Sequence, residues 1–169
     1  MAQDEVQQWL TKAQEVRKGQ LDLSKDEDLS IALMNLISLE EHFYFTAMKT
    51  SNQKYIDMLQ SVRELRIRLL KKMVTKPEGE EWCISKHLLA ASMRLIEVGT
   101  KELSKDRKEA ESYFASAFDL YSLFFAINLK MIGVQKLEDS KKPEERGSNR
   151  MMRGFSAMVK KIVDCCKEW

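Results

Sequence analysis

The stretch YFASAFDLYSLFFAINLKMIGV, residues 113–134, decides between the folds open to this chain. A helix over this stretch is apolar on nearly every side, and Asp119 and Lys130 are its only charged residues. Such a helix is either buried in a protein core or spans a membrane. A charge near a bilayer centre costs roughly 2.5–3.5 kcal/mol, and the neighbouring segments carry one-sided apolar faces that need a partner. The stretch therefore predicts the central helix of a bundle.

Composition supports an all-α fold with one domain as the default. The chain has 169 residues, long enough for a substantial core. With 44% hydrophobic and 32% charged residues it is typical of globular proteins, and six Gly and two Pro leave few helix breakers. Helical periodicity covers nearly the whole sequence. The predicted helices lie at about 3–18, 53–75, 80–103, 106–137 and 150–167, with a further helix that begins after SKDED, where Ser24 or Asp26 can cap it, and runs to about Lys49.

Short connections between these helices favour antiparallel neighbours. The predicted fold is an antiparallel up-and-down helical bundle with about five core helices in residues 1–137. Residues 138–149, EDSKKPEERGSN, form a polar linker. A C-terminal amphipathic helix in residues 150–169 then packs on the bundle or on a partner subunit.

Charge and cysteine content indicate where the protein is found and which partners it can bind. The chain has 28 basic and 26 acidic residues, a net charge of +2 that is too small for a general nucleic-acid footprint. Three Cys, two of them adjacent, are no disulfide framework and indicate a reducing compartment. The polar, acidic start MAQDEVQQWL is unlike a targeting peptide. We expect a cytoplasmic protein without a membrane span.

Two charges lie on apolar helix faces and predict a buried ion pair. Glu40, in the run SLEEHFYF of residues 38–45, falls on the face that includes Phe43 and Tyr44. Arg66 falls on the apolar face of the next helix. An antiparallel hairpin turning at residues 51–53 places both at similar heights, and a buried charge must be paired. We expect a Glu40–Arg66 pair, extended by Arg63 or Tyr44. It is either an architectural pair that fixes helix register or part of a polar pocket.

The helix at about 80–103 combines small and basic residues. Ser85, Ser92 and Gly99 recur every seven residues and predict a close approach to the bulky helix that follows. Another side of this helix forms a candidate basic stripe for phosphate or other anionic ligands. The stripe consists of Lys86, His87, Arg94 and Lys101. Cys83 and His87 have the i, i+4 spacing of helix-borne metal ligands, but a zinc site needs further ligands and the only other histidine is His42.

The C-terminal segment has the clearest amphipathic pattern. Its basic face carries Arg150, Arg153, Lys160, Lys161 and Lys167. Its apolar face consists of Met151, Met152, Phe155, Met158, Val159, Ile162, Cys166 and Trp169. This pattern predicts packing on the bundle, docking on a second subunit or protein partner, or contact with an anionic membrane surface. We expect a homo-oligomer or a protein partner held through residues 150–169.

Known catalytic motifs are missing from the sequence. The residues three after Glu40 and Glu41 are Phe43 and Tyr44, so the Glu-x-x-His motif of di-iron bundles is absent. Glycine-rich phosphate loops and nucleophile elbows are absent as well. We expect no cofactor and no catalytic residue. Two function hypotheses remain: a non-catalytic, self-associating interaction module, and an RNA- or nucleotide-contacting bundle that uses the basic stripe with His87.

Overall fold

The all-α prediction is confirmed for the part of the chain that the structure describes. This computed structural model describes residues 23–130, which form four helices and no strand. The helices are α1 (Ser24–Thr50), α2 (Lys54–Met73), α3 (Glu81–Glu102) and α4 (Arg107–Asn128). The helices predicted at 3–18 and 150–167 and the linker at 138–149 lie outside the described residues.

Local signals set the boundaries of these helices. Ser51 adopts φ +52° after α1, and its N–H donates to the Ala47 carbonyl; Asn52 Oδ1 then accepts from the Lys54 N–H at 3.0 Å at the start of α2. Asp106 caps α4 by accepting from the Glu109 N–H at 3.0 Å. These turns let consecutive helices pair: α1 packs against α2, α3 packs against α4, and α1 also contacts α3.

Small residues bring α3 and α4 close together, as the sequence predicts. Ser92 Oγ donates to the Ala117 carbonyl of α4 at 2.8 Å, and Asn128 Nδ2 donates to Ser85 Oγ at 3.2 Å. At Gly99 there is no room for a side chain, because an added Cβ would lie 2.6 Å from Cε1 of Phe114. The seven-residue spacing of small side chains therefore marks the α3–α4 contact.

Helix α4 is largely exposed in its first turns and deeply buried in its last two. Its last two turns hold Ser122, Phe124, Phe125, Ala126 and Ile127, all buried, so the helix is enclosed on every side there. Phe124 joins Leu33 of α1, Leu70 of α2 and Leu89 of α3 in one core. The helix ends at Asn128 rather than at about 137, because Leu129 and Lys130 form a turn in which Lys130 adopts φ +54°. Within residues 23–130, no helix is both long and apolar enough to cross a membrane.

Candidate functional site

Glu40 and Arg66 form the ion pair that the sequence predicts. Arg66 Nε donates to Glu40 Oε1 at 2.7 Å, and its terminal Nη2 donates to Oε2 at 3.1 Å. The Arg66 side chain is 4% exposed and that of Glu40 is 15% exposed. Both carboxylate oxygens thus accept hydrogen bonds from the planar guanidinium, in the bidentate geometry that makes such pairs strong. This pair joins α1 to α2 in a largely dry environment.

The two residues predicted to extend this pair do not take part in it. Arg63 is exposed, one turn before Arg66 in α2. Because Arg66 already occupies both oxygens of Glu40, a second arginine gains more from solvent than from burial at this carboxylate. Tyr44 was expected on the buried face of α1, but it is 49% exposed. The prediction of an extended buried cluster is therefore wrong for Arg63 and Tyr44.

The neighbouring charges in SLEEHFYF point to different helices. Glu41 Oε2 accepts from Arg94 Nη2 at 2.8 Å, which links α1 to α3, and both side chains are nearly half exposed. His42 is exposed on the outer side of α1. Successive helical residues are turned by about 100°, so the acidic pair serves two different neighbours. Glu40 meets α2, while Glu41 meets α3.

The predicted basic stripe lies on α3 with uneven exposure. His87, Arg94 and Lys101 are exposed and Lys86 is partly buried. Arg94, near the middle of this stripe, is paired with Glu41. The ion pair lowers the positive charge that an anionic ligand would meet at this position.

The candidate metal ligands on α3 lack further ligands nearby. Cys83 has an exposed free thiol, and His87 is exposed one turn later. In residues 23–130, no group of three or more His, Cys, Asp or Glu side chains is arranged to hold a metal ion. A structural zinc site takes four ligands, so Cys83 and His87 supply only part of one.

An open surface cleft lies where α2 leads into α3. Its walls are Lys71, Val74, Thr75, Lys76, Pro77 and Trp82. Neither the Glu40–Arg66 pair nor His87 lines this cleft. This cleft is therefore not a pocket built on the pair, and the bidentate, largely buried geometry of Glu40–Arg66 favours the architectural interpretation.

A third ion pair, which the sequence did not reveal, joins the start of α3 to the turn that follows α4. Lys130 Nζ lies 2.5 Å from Glu81 Oε2, and the Glu78 N–H donates to the same oxygen at 3.0 Å. Burial raises the pKa of the Glu81 carboxyl, but the hydrogen bonds from Lys130 and Glu78 outweigh burial and hold the pKa below its ordinary value of 4.5. In the sequence only Lys130 stood out, because it is a charge in an apolar stretch. Glu81 did not stand out, because it is one of several acids in the run EGEE of residues 78–81.

Protonation of Glu81 is expected to weaken the fold at acidic pH. Because the pKa of Glu81 is lowered in the folded state, its contribution to stability is present above about pH 4.5 and is lost as pH falls through the folded-state pKa. We expect Glu81→Gln to lower the free energy of unfolding at pH 7, with a difference from the native protein that shrinks toward pH 3. Urea titrations at several pH values measure this difference. Glu80→Gln at the exposed neighbour is the control, and a Glu81→Gln difference independent of pH would contradict the assignment.

A row of residues along α1 continues from the core onto the exposed surface. On α1, Ser30, Met34, Ile37, Glu41, Tyr44 and Met48 follow one another at alternating spacings of four and three residues. Ser30, Met34 and Ile37 are buried, and Glu41 forms the ion pair with Arg94. After that pair the row becomes exposed, at 49% for Tyr44 and 58% for Met48. Phe45 beside them is also 58% exposed, and its ring lies 5.2 Å from that of Tyr44.

Helix α3 repeats this change from buried to exposed. Leu89 is in the core and Met93 packs against it. Beyond Arg94, Ile96 follows Met93 by three residues and Leu103 follows Ile96 by seven, and the two are 39% and 48% exposed. We call Tyr44, Phe45, Met48, Ile96 and Leu103 the distal apolar surface. The spacing was visible in the sequence, but the point at which the partner helices stop covering it was not.

Comparison with known proteins identifies no relative. No protein-family model, curated protein or solved structure matches this chain. Its function is therefore inferred from the residues described above.

Proposed function

We propose that this protein is a non-catalytic helical module that acts by self-association. The distal apolar surface is the observation that carries the proposal, because it places large apolar side chains in solvent on two neighbouring helices. Exposed patches of large apolar side chains are typical of protein–protein contacts. Aromatic and Met side chains are also the residue types enriched in such contacts.

The position of this surface supports association rather than ordinary surface variation. Tyr44 and Met48 continue the row that Met34 and Ile37 use inside the fold. A row at this spacing packs against a further helix in helical bundles. The helices predicted in residues 1–22 and 150–169 would, in this proposal, complete an antiparallel up-and-down bundle within or between copies. We propose the cytoplasm as its location, on the basis of the cysteine content.

The RNA- or nucleotide-binding alternative has less support. It relies on Lys86, His87, Arg94 and Lys101 as a continuous positive surface. The carboxylate of Glu41, 2.8 Å from Arg94, interrupts that surface. Salt-sensitive binding of RNA that is lost in His87→Ala with Arg94→Ala would be needed to favour this alternative.

Self-association is tested by light scattering after size exclusion over a range of concentrations. We expect the native chain to have a mass above that of one copy. Met48→Glu is expected to weaken association by about tenfold or more, since a charge at a packed position costs over 1.4 kcal/mol. Met58→Glu is the matched control, because Met58 is an exposed methionine of α2 outside the distal apolar surface. A native chain that stays monomeric at every concentration would overturn the proposal.

A further inference from the structure

The distal apolar surface follows the Glu41–Arg94 ion pair along both α1 and α3. On α1, Tyr44 and Met48 are exposed beyond the pair, while Phe43 and Ala47 on another side of the helix stay buried. On α3, Ile96 is exposed beyond the pair. Both helices therefore lead from the core to the same end of the structure, where Tyr44 and Met48 of α1 and Ile96 of α3 have no covering helix among the described residues.

The apolar residues in residues 150–169 have a spacing that matches the spacing of the exposed row on α1. Its apolar residues at 152, 155, 159, 162, 166 and 169 are spaced by three and four in alternation. Those positions are Met152, Phe155, Val159, Ile162, Cys166 and Trp169. The α1 row shows the same alternation over Ile37, Glu41, Tyr44 and Met48. Two rows of this periodicity interdigitate along their length when they pack side by side.

Charge also favours this segment as the occupant. Residues 150–169 carry five basic and two acidic residues. The carboxylate of Glu41 is about two-fifths exposed at the edge of the distal apolar surface, and Glu97 follows Ile96 directly in α3. Basic side chains of the segment, such as Lys160 and Lys161, complement these carboxylates.

The connection to the segment is long enough to reach another copy. The described chain ends at Lys130, which Glu81 holds at the start of α3. From there, residues 131–149 can extend to at most about 65 Å, whereas α1 is about 40 Å long. A connection of this length reaches the distal apolar surface of a neighbouring copy, and the self-association proposed above is the reason for taking a second copy as the source.

We propose that residues 150–169 of one copy dock on the distal apolar surface of a second copy, in a reciprocal exchange of C-terminal segments. This inference rests on the proposed function and names the two surfaces that meet. Reciprocal exchange gives a closed dimer with two equivalent contacts. Each contact joins the segment of one chain to the surface of the other.

The exchange is tested with two full-length variants that damage opposite sides of the contact. The surface variant carries Met48→Glu and Ile96→Glu and keeps its C-terminal segment. The segment variant carries Phe155→Glu and Ile162→Glu and keeps its distal apolar surface. The control for the first is Met58→Glu with Ile31→Glu, at exposed apolar positions of α2 and of the first half of α1, outside the surface. Ser156→Glu with Ala157→Glu, off the predicted apolar face, adds the same charge as the segment variant.

We expect each damaged variant to self-associate about tenfold or more weakly than the native chain, with both controls near native. Mixing the two variants is expected to restore association, because the intact segment of one meets the intact surface of the other. Capture of the untagged segment variant by a tagged surface variant measures this mixed species. Circular dichroism establishes that each variant keeps its helices.

Three results would contradict the inference, and together they distinguish its failure from a failure of the proposed function. If the segment variant associates like the native chain, the inference is wrong while the proposed function stands. If both variants are monomeric and their mixture stays monomeric, the segment does not exchange between copies and the inference is wrong. If the native chain is itself monomeric, the proposed function fails and the exchange fails with it.

Discussion

Replacing Glu40 with Ala is expected to lower the free energy of unfolding by about 3–5 kcal/mol. The substitution leaves the guanidinium of Arg66, 4% exposed, without the carboxylate that accepts both of its hydrogen bonds. A buried charge without a partner costs far more than the pair contributes when intact. Urea or guanidinium unfolding, followed by circular dichroism, measures the loss.

A double substitution separates architecture from function at this pair. Glu40→Leu with Arg66→Met removes both charges and keeps apolar volume between α1 and α2. We expect this variant to recover most of the stability that Glu40→Ala loses, because apolar replacements of buried pairs are often neutral or stabilising. If it also keeps native association, the pair serves the fold rather than the contact between copies.

Glu41→Ala is the matched control, one residue along the same helix. Its carboxylate also pairs with an arginine, but both side chains are nearly half exposed. Exposed pairs contribute about 0–1 kcal/mol, so this variant is expected to lose little stability. Equal losses for Glu40→Ala and Glu41→Ala would contradict the assignment of a buried pair.

Replacing Phe124 with Ala is also expected to lower the free energy of unfolding by about 3–5 kcal/mol. The Phe124 ring is fully buried where all four described helices meet, and it packs edge-on against Phe125 at 5.3 Å. The substitution removes the buried surface of an aromatic side chain. It also leaves a cavity that the last two turns of α4, which are enclosed by other helices, cannot close. Chemical unfolding and the thermal midpoint measure the effect.

Phe45→Ala is the control for this prediction. Phe45 is 58% exposed on α1, so its truncation is expected to change the stability of a single copy by less than about 1 kcal/mol. The measurement is made at low protein concentration, where association does not contribute. A loss at Phe45 as large as that at Phe124 would show that the core is centred elsewhere.

The Glu40–Arg66 pair could be predicted because two independent signals agree. Each charge stands among apolar residues at helical spacing, and a hairpin turn at residues 51–53 sets their heights along the two helices. The same reasoning failed for Arg63 and Tyr44, which are exposed. Periodicity predicts roughly which side of a helix a residue lies on and how far along the helix it lies. It does not predict how far the neighbouring helix extends to cover that side.

The remaining contacts join helices that are distant in sequence. Glu41–Arg94 and Glu81–Lys130 span 53 and 49 residues. No local pattern selects one partner among the many lysines, arginines and acids of this chain, because exposed charges pair weakly and with little geometric preference. These contacts depend on which helix faces are brought together.

By itself, the sequence determined the four helices of residues 23–130, the burial of the second half of α4, the small-residue contact between α3 and α4, and one ion pair. Each of these follows from local propensity and from the apolar periodicity of single helices or of neighbours along the chain. Only the tertiary structure decided where the apolar row of α1 ceases to be buried. Burial depends on which helices lie next to a residue, so the same residue type is core at Met34 and open surface at Met48.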